Sequence, residues 1–84
     1  MGRLKNKITA DELKAAKEIY IRAKENNGMV NMRRVTEKIG VAASICNSAL
    51  KLLYVAGIID YRSKGPQGTL VTIEDEEKYK ELIK

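Results

Sequence analysis

The sequence holds no histidine, tryptophan or phenylalanine, and a single cysteine and a single proline among 84 residues. Each absence removes a class of function. Without histidine the chain lacks the usual general base near neutral pH and the commonest metal ligand. The lone Cys46 builds no internal disulfide, no Cys/His metal cluster and no Cys–His nucleophile pair, and it suits a reducing cytosol. No apolar run approaches the roughly 20 residues that cross a bilayer. The basic start "MGRLKNK" is not followed by the apolar stretch of a signal peptide. There is no phosphate-loop glycine pattern and no internal repeat, and the one carboxylate cluster, "EDEE", reads as a solvated helix start. What remains is one small cytoplasmic domain, not an enzyme, with no metal, cofactor or membrane partner expected.

What is present is charge, unevenly placed. With 32% charged and 44% apolar residues the composition suits a compact domain rather than a disordered tail. The net charge of +5 divides into +7 over residues 1–73 and −2 over residues 74–84. A basic body favours a polyanionic partner, although a basic domain that is merely soluble would show the same balance.

The chain reads as one winged unit over residues 1–84, mainly α with a small β-hairpin. A basic extension (1–8) precedes a first helix at 9–26. Thr9 and Glu12 form a capping box, Ile8 and Leu13 suit a hydrophobic staple, and Leu13, Ala16, Ile19, Tyr20 and Ala23 make its apolar stripe. "ENNG" ends that helix, and Met29-Val30 either pairs as a short strand or simply bridges. Residues 31–56 hold two more helices. Asn31 caps the first of them, roughly Met32–Ile39, and the second runs from about Ala42 to Val55 with Ile45, Cys46, Ala49, Leu50 and Leu53 on its buried side. "IIDYRSK" and "TLVTI" then alternate like strands of a hairpin at 58–73 around the tip "GPQG". A final helix at 75–83 carries acids in its first turn and a thin apolar side of Tyr79, Leu82 and Ile83. Helix-helix-helix-hairpin-helix is the order of a winged helix-turn-helix.

That frame gives particular residues a role. A helix-turn-helix turn takes a small residue where two helices meet steeply, and Gly40 is expected to serve by leaving room. The second helix of such a motif enters the major groove of DNA. Ser44, Asn47, Ser48 and Lys51 fall at i, i+3, i+4 and i+7 and so project from one face, with Ala43 at its head. Asparagine can bond adenine twice, serine either edge or a phosphate, and lysine a guanine or a phosphate. A hydrated helix surface would carry the same four residues. Positive charge around them favours the first reading: Arg33, Arg34 and Lys38 lie on the preceding helix, and Arg62 and Lys64 lead to Gln67 at the hairpin tip. Arg62 paired to Asp60 is the bland alternative. Cys46 and Tyr20 read as core, and Tyr54 and Tyr61 as dimer contacts or partly buried residues at the wing base.

The stretch "VAASICNSALKLLYVAGIIDYRSKGPQGTLVTI" resembles the C-terminal DNA-binding domain of CodY-type global transcriptional repressors. The resemblance is densest at Ser44, Ala49, Leu50, Leu53, Ala56-Gly57, Ile59, Arg62-Ser63, Gly65 and Gly68-Thr69, and spans about Thr9 to Ile73. It implies a winged helix that binds operator DNA within a homodimeric repressor. In that family a separate domain senses branched-chain amino acids, and often GTP; no such domain is expected here, so neither effector should bind this chain. The resemblance gives Ser44 and Ser48 a reading role and Arg62, Ser63 and Thr69 a wing role. Two departures stand out. The family often has Thr-Arg in place of Ala42-Ala43, and Lys in place of Gln67. Both remove polar or positive reach toward DNA.

The expectation is therefore sequence-specific binding of double-stranded DNA by a bacterial transcription regulator. The rival is a winged helix used for protein–protein contact or dimerisation through the first helix and Tyr54.

Overall fold

The first helix starts where the Thr9–Glu12 spacing puts it. The computed structural model describes residues 8–84, so the basic extension expected at 1–8 lies outside the described residues apart from Ile8. Glu12 N donates to Thr9 Oγ1 at 3.1 Å, and Thr9 N donates to Glu12 Oε1 at 3.0 Å. This closed capping box opens α1 (Ala10–Glu25). Ile8 and Leu13, the expected staple pair, are both half-buried against the core. The helix ends through Asn27, whose φ of 54° is a left-handed conformation that asparagine tolerates.

There follow β1 (Met29–Val30), α2 (Met32–Ile39), α3 (Ala43–Val55), β2 (Ile59–Ser63), β3 (Thr69–Ile73) and α4 (Glu76–Ile83). This is a winged helix-turn-helix, in the order that the periodicity predicts. Across the turn from α2 to α3 the chain changes direction by 116°, which is the steep meeting the motif requires. Gly40 is needed there for another reason than the one expected. A Cβ built on it would meet nothing within 4 Å, so crowding is not the constraint. Its φ of 67° is the constraint, because a side chain strains that backbone.

One buried cluster holds these elements together. Ala15, Ala16, Ile19 and Ala23 come from α1, Val35 from α2, Cys46, Ala49, Leu50 and Leu53 from α3, Ile58, Ile59 and Val71 from around the sheet, and Tyr79 and Leu82 from α4. Full burial of a side chain such as Ile19 or Leu53 contributes roughly 1.5–3 kcal/mol. Thr36 Oγ1 turns inward, donating to Met32 O at 2.9 Å and lying 3.7 Å from Cys46 Sγ, so α2 touches α3 through a polar contact as well.

The sheet is larger than the expected hairpin. β1 joins it, giving the antiparallel order β1-β3-β2. Val30 lies opposite Thr69, and Ile59, Tyr61 and Ser63 lie opposite Ile73, Val71 and Thr69. The tip is a single 3-10 turn, Gly65–Gln67. Its neck closes where Lys64 N donates to Gly68 O at 2.7 Å.

α4 does more than cover the core with a thin apolar side. Tyr79 is fully buried, and its hydroxyl donates to Ala16 O at 2.7 Å. The ring meets Tyr20 edge-on, with centroids 4.9 Å apart. Tyr20 is half-buried rather than core, and its hydroxyl donates to Glu76, which also holds Lys24 Nζ at 3.0 Å. Asp75 caps the helix by accepting from Lys78 N at 3.0 Å. The "EDEE" cluster is thus a docking element and not just a solvated helix start.

Candidate nucleic-acid interface

α3 buries Cys46, Ala49, Leu50 and Leu53 and leaves Ser44, Asn47, Ser48 and Lys51 exposed. The helical period forces that division. At its head Ala42 supplies no side-chain cap. Ala42 O accepts from Ile45 N at 3.0 Å and Cys46 N at 3.2 Å, but the N–H groups before them have no side-chain acceptor. Ala42 and Ala43 are both exposed. The helix therefore begins with small side chains over an open, electropositive end, a suitable surface for an anion.

On α2, Asn31 Oδ1 accepts from Arg34 N at 3.2 Å and so fixes the helix start. Arg33, Arg34 and Lys38 are exposed. On the wing Arg62, Lys64 and Gln67 are exposed. The ion pairs among the described residues are Arg22–Glu18 and Lys24–Glu76, so Arg62 does not pair with Asp60 there. Asp60 Oδ1 instead accepts from the adjacent Tyr61 N at 2.9 Å. The basic side chains of α2, α3 and the wing therefore keep their charge available to a partner.

Two of the residues expected at the interface sit differently. Strand alternation points Ser63 to the opposite face of β2 from Arg62. Ser63 Oγ accepts from Gly65 N at 3.4 Å and thereby shapes the wing turn. Thr69 is half-buried in the middle strand, between Ser63 and Val30. Thr69 thus sits at the root of the wing, while Ser63 shapes the turn and still presents an exposed side chain on the other face of the strand.

Arg34 and Gln67, far apart in sequence, line one open cleft of about 270 Å³ with Arg22, Asn26, Met29 and Asn31. The sequence marks Asn31 as a cap and Asn26 as part of the helix-ending "ENNG", and gives neither these nor Arg22 a contact role. No local pattern could assign one, because the cleft exists only once the wing folds over the start of α2. Elsewhere, Tyr54 and Tyr61 meet edge-on at 5.5 Å. Tyr54 is 51% exposed and the adjacent Val55 76%, while Tyr61 is half-buried at the wing base.

Comparison with known proteins gives this geometry a context. No family model matches the chain. Over 77 residues it is 32% identical to the global transcriptional regulator CodY of Caldanaerobacter subterraneus subsp. tengcongensis, covering 92% of this chain and 31% of that protein. The chain is a homologue of the CodY regulators. It is likewise 31% identical to CodY of Clostridium beijerinckii and 30% identical to CodY of Staphylococcus haemolyticus, each covering 92% of this chain and 30% of the relative. The chain thus spans about three-tenths of the length of the CodY proteins it matches. The matching extent is consistent with one CodY-type domain, the C-terminal one that the resemblance indicated.

Proposed function

We propose that this chain binds double-stranded DNA with sequence preference, as the operator-reading domain of a bacterial transcription regulator of the repressor type. The observation that carries the reading is the exposed row Ser44, Asn47, Ser48 and Lys51 on α3, accompanied by Arg33, Arg34, Arg62 and Lys64, none of which is ion-paired among the described residues. A major groove accepts one helix, and phosphates on either side of it accept cations from flanking elements. In that arrangement Asn47 and the two serines read base edges, and Lys51 reads a guanine or a phosphate. Arg33, Arg34 and Arg62 supply affinity common to all sequences. Ala43 allows the head of α3 to approach closely, where its open N–H groups meet a phosphate. The names of the CodY relatives support regulation of transcription as the setting.

A second reading rests on the exposed Tyr54 and Val55 at the end of α3. These suit a protein partner or a homodimer contact, within a longer regulator or alone. Sedimentation with and without duplex DNA separates the two. The DNA reading predicts a shift that depends on duplex, whereas the rival predicts a stable self-complex or partner complex and no shift with DNA.

A further inference from the structure

We infer that the cleft between the end of α1, the start of α2 and the wing tip grips one phosphate of the DNA backbone, with Arg22 and Asn26 joining Arg34 and Gln67 as donors. The inference rests on the DNA reading above and extends the contact surface to a helix outside the helix-turn-helix and the wing.

Three separate segments build the cleft: Arg22 and Asn26 from α1 and its cap, Met29, Asn31 and Arg34 from the β1–α2 elbow, and Gln67 from the wing. The backbone segments that carry them are held together without a ligand. β1 is paired to β3 beside the tip. Gly68, at φ 116°, lies so close to the elbow that an added Cβ would stand 2.8 Å from Val30 O. Only glycine permits that approach, and it seats Gln67 over the start of α2. A pre-set backbone frame lowers the ordering cost of binding, and Arg22 and Asn31 are further held by their own hydrogen bonds.

The donor chemistry selects the ligand. Five of the six lining residues carry N–H donors, and none is a carboxylate. Glu18 holds Arg22 through Nε at 2.8 Å, which orients the guanidinium and leaves its terminal nitrogens to donate. Asn31 uses Oδ1 on Arg34 N, so its amide nitrogen remains a donor. A cation finds little here, and an apolar ligand finds Met29 alone. An oxyanion finds converging donors with the planar geometry that arginine presents to phosphate. Arg22 is offset by Glu18 and Arg34 is not ion-paired among the described residues, so the site carries about one net positive charge. That matches the single charge of a phosphodiester better than the several charges of a free nucleotide.

The test is a titration of short mixed-sequence duplex DNA at several salt concentrations, with the folded state of each variant checked by circular dichroism. Arg22→Gln is expected to weaken binding about tenfold on every sequence and to reduce the salt slope by about one. Arg22→Lys should keep most of that slope. Asn26→Ala should weaken binding roughly threefold with the slope unchanged. Glu18→Gln breaks the same ion pair while sparing the arginine, and should leave affinity equal or slightly raised. Equal losses from Arg22→Gln and Glu18→Gln would mean that Arg22 acts only by holding α1, and would overturn the inference. So would an unchanged affinity and slope in Arg22→Gln when the parent chain binds normally, an outcome that leaves the DNA reading standing. A parent chain that fails to bind duplex at low salt removes both.

Discussion

The seam between α1 and α4 and the surface formed by α2, α3 and the wing use similar residues to opposite ends. At the seam every polar group named has a partner inside the molecule. Tyr79 donates to Ala16 O, Tyr20 to Glu76, and Lys24 pairs with Glu76. On the other surface Arg33, Arg34, Lys51, Arg62 and Lys64 are exposed and carry no ion pair among the described residues. Charge satisfied within the fold serves stability, and charge left unpaired around a polar helix face is available for recognition. Substitutions in the first region should therefore change folding with little effect on affinity per folded molecule, and those in the second the reverse.

The strongest test of that division is Tyr79→Ala, which empties the largest fully buried side-chain site. It should destabilise the domain by about 3–5 kcal/mol in urea unfolding, while the folded fraction keeps its DNA affinity. Gly40→Ala comes next. Forcing a side chain to positive φ should cost about 1–3 kcal/mol, and a value near zero would show that the turn relaxes. Asn47→Ala should leave unfolding unchanged and lower discrimination at one base pair by about 1–3 kcal/mol. An equal loss on all sequences would demote Asn47 from reader to backbone contact. Arg62→Ala should weaken binding evenly across sequences and shallow the salt slope by about one, with stability altered by no more than about 0.5 kcal/mol.

The smallest effect belongs to pH. The Tyr20 hydroxyl, and after it Lys24, hold the Glu76 carboxyl below its ordinary value. The folded state thus favours the ionised carboxyl. That contribution is complete above the unfolded carboxylate value and is lost as pH falls through the lowered folded value. Glu76→Gln should flatten this acid-side part of the stability curve. Superimposable curves for parent and variant would show that the contact contributes nothing.

Much of the fold was legible because its signals are local. The Thr9–Glu12 box, the Asn31 cap, the stripe of α3 and the glycine-flanked wing tip each need only neighbouring residues. The third strand was left open because two residues, Met29 and Val30, display no period. Gly40 meets a different demand from the expected one, since crowding and a left-handed backbone both ask for glycine and only the folded turn distinguishes them. The candidate interface was legible as a helix face and a set of cations. Period-2 alternation already implies that Arg62 and Ser63 point apart, whereas the resemblance assigns both the same wing role. The cleft holding Arg22, Asn26 and Gln67 joins segments with no common pattern, so it emerged only from tertiary packing.

The central claim is that unpaired charge around α3 exists to meet DNA phosphates. Titrating the chain with duplex DNA over a range of salt concentrations tests it directly. The expected result is measurable affinity at low salt whose logarithm falls linearly with the logarithm of salt, by about 0.9 per phosphate neutralised. Affinity that is absent at low salt, or that does not change with salt, would contradict it.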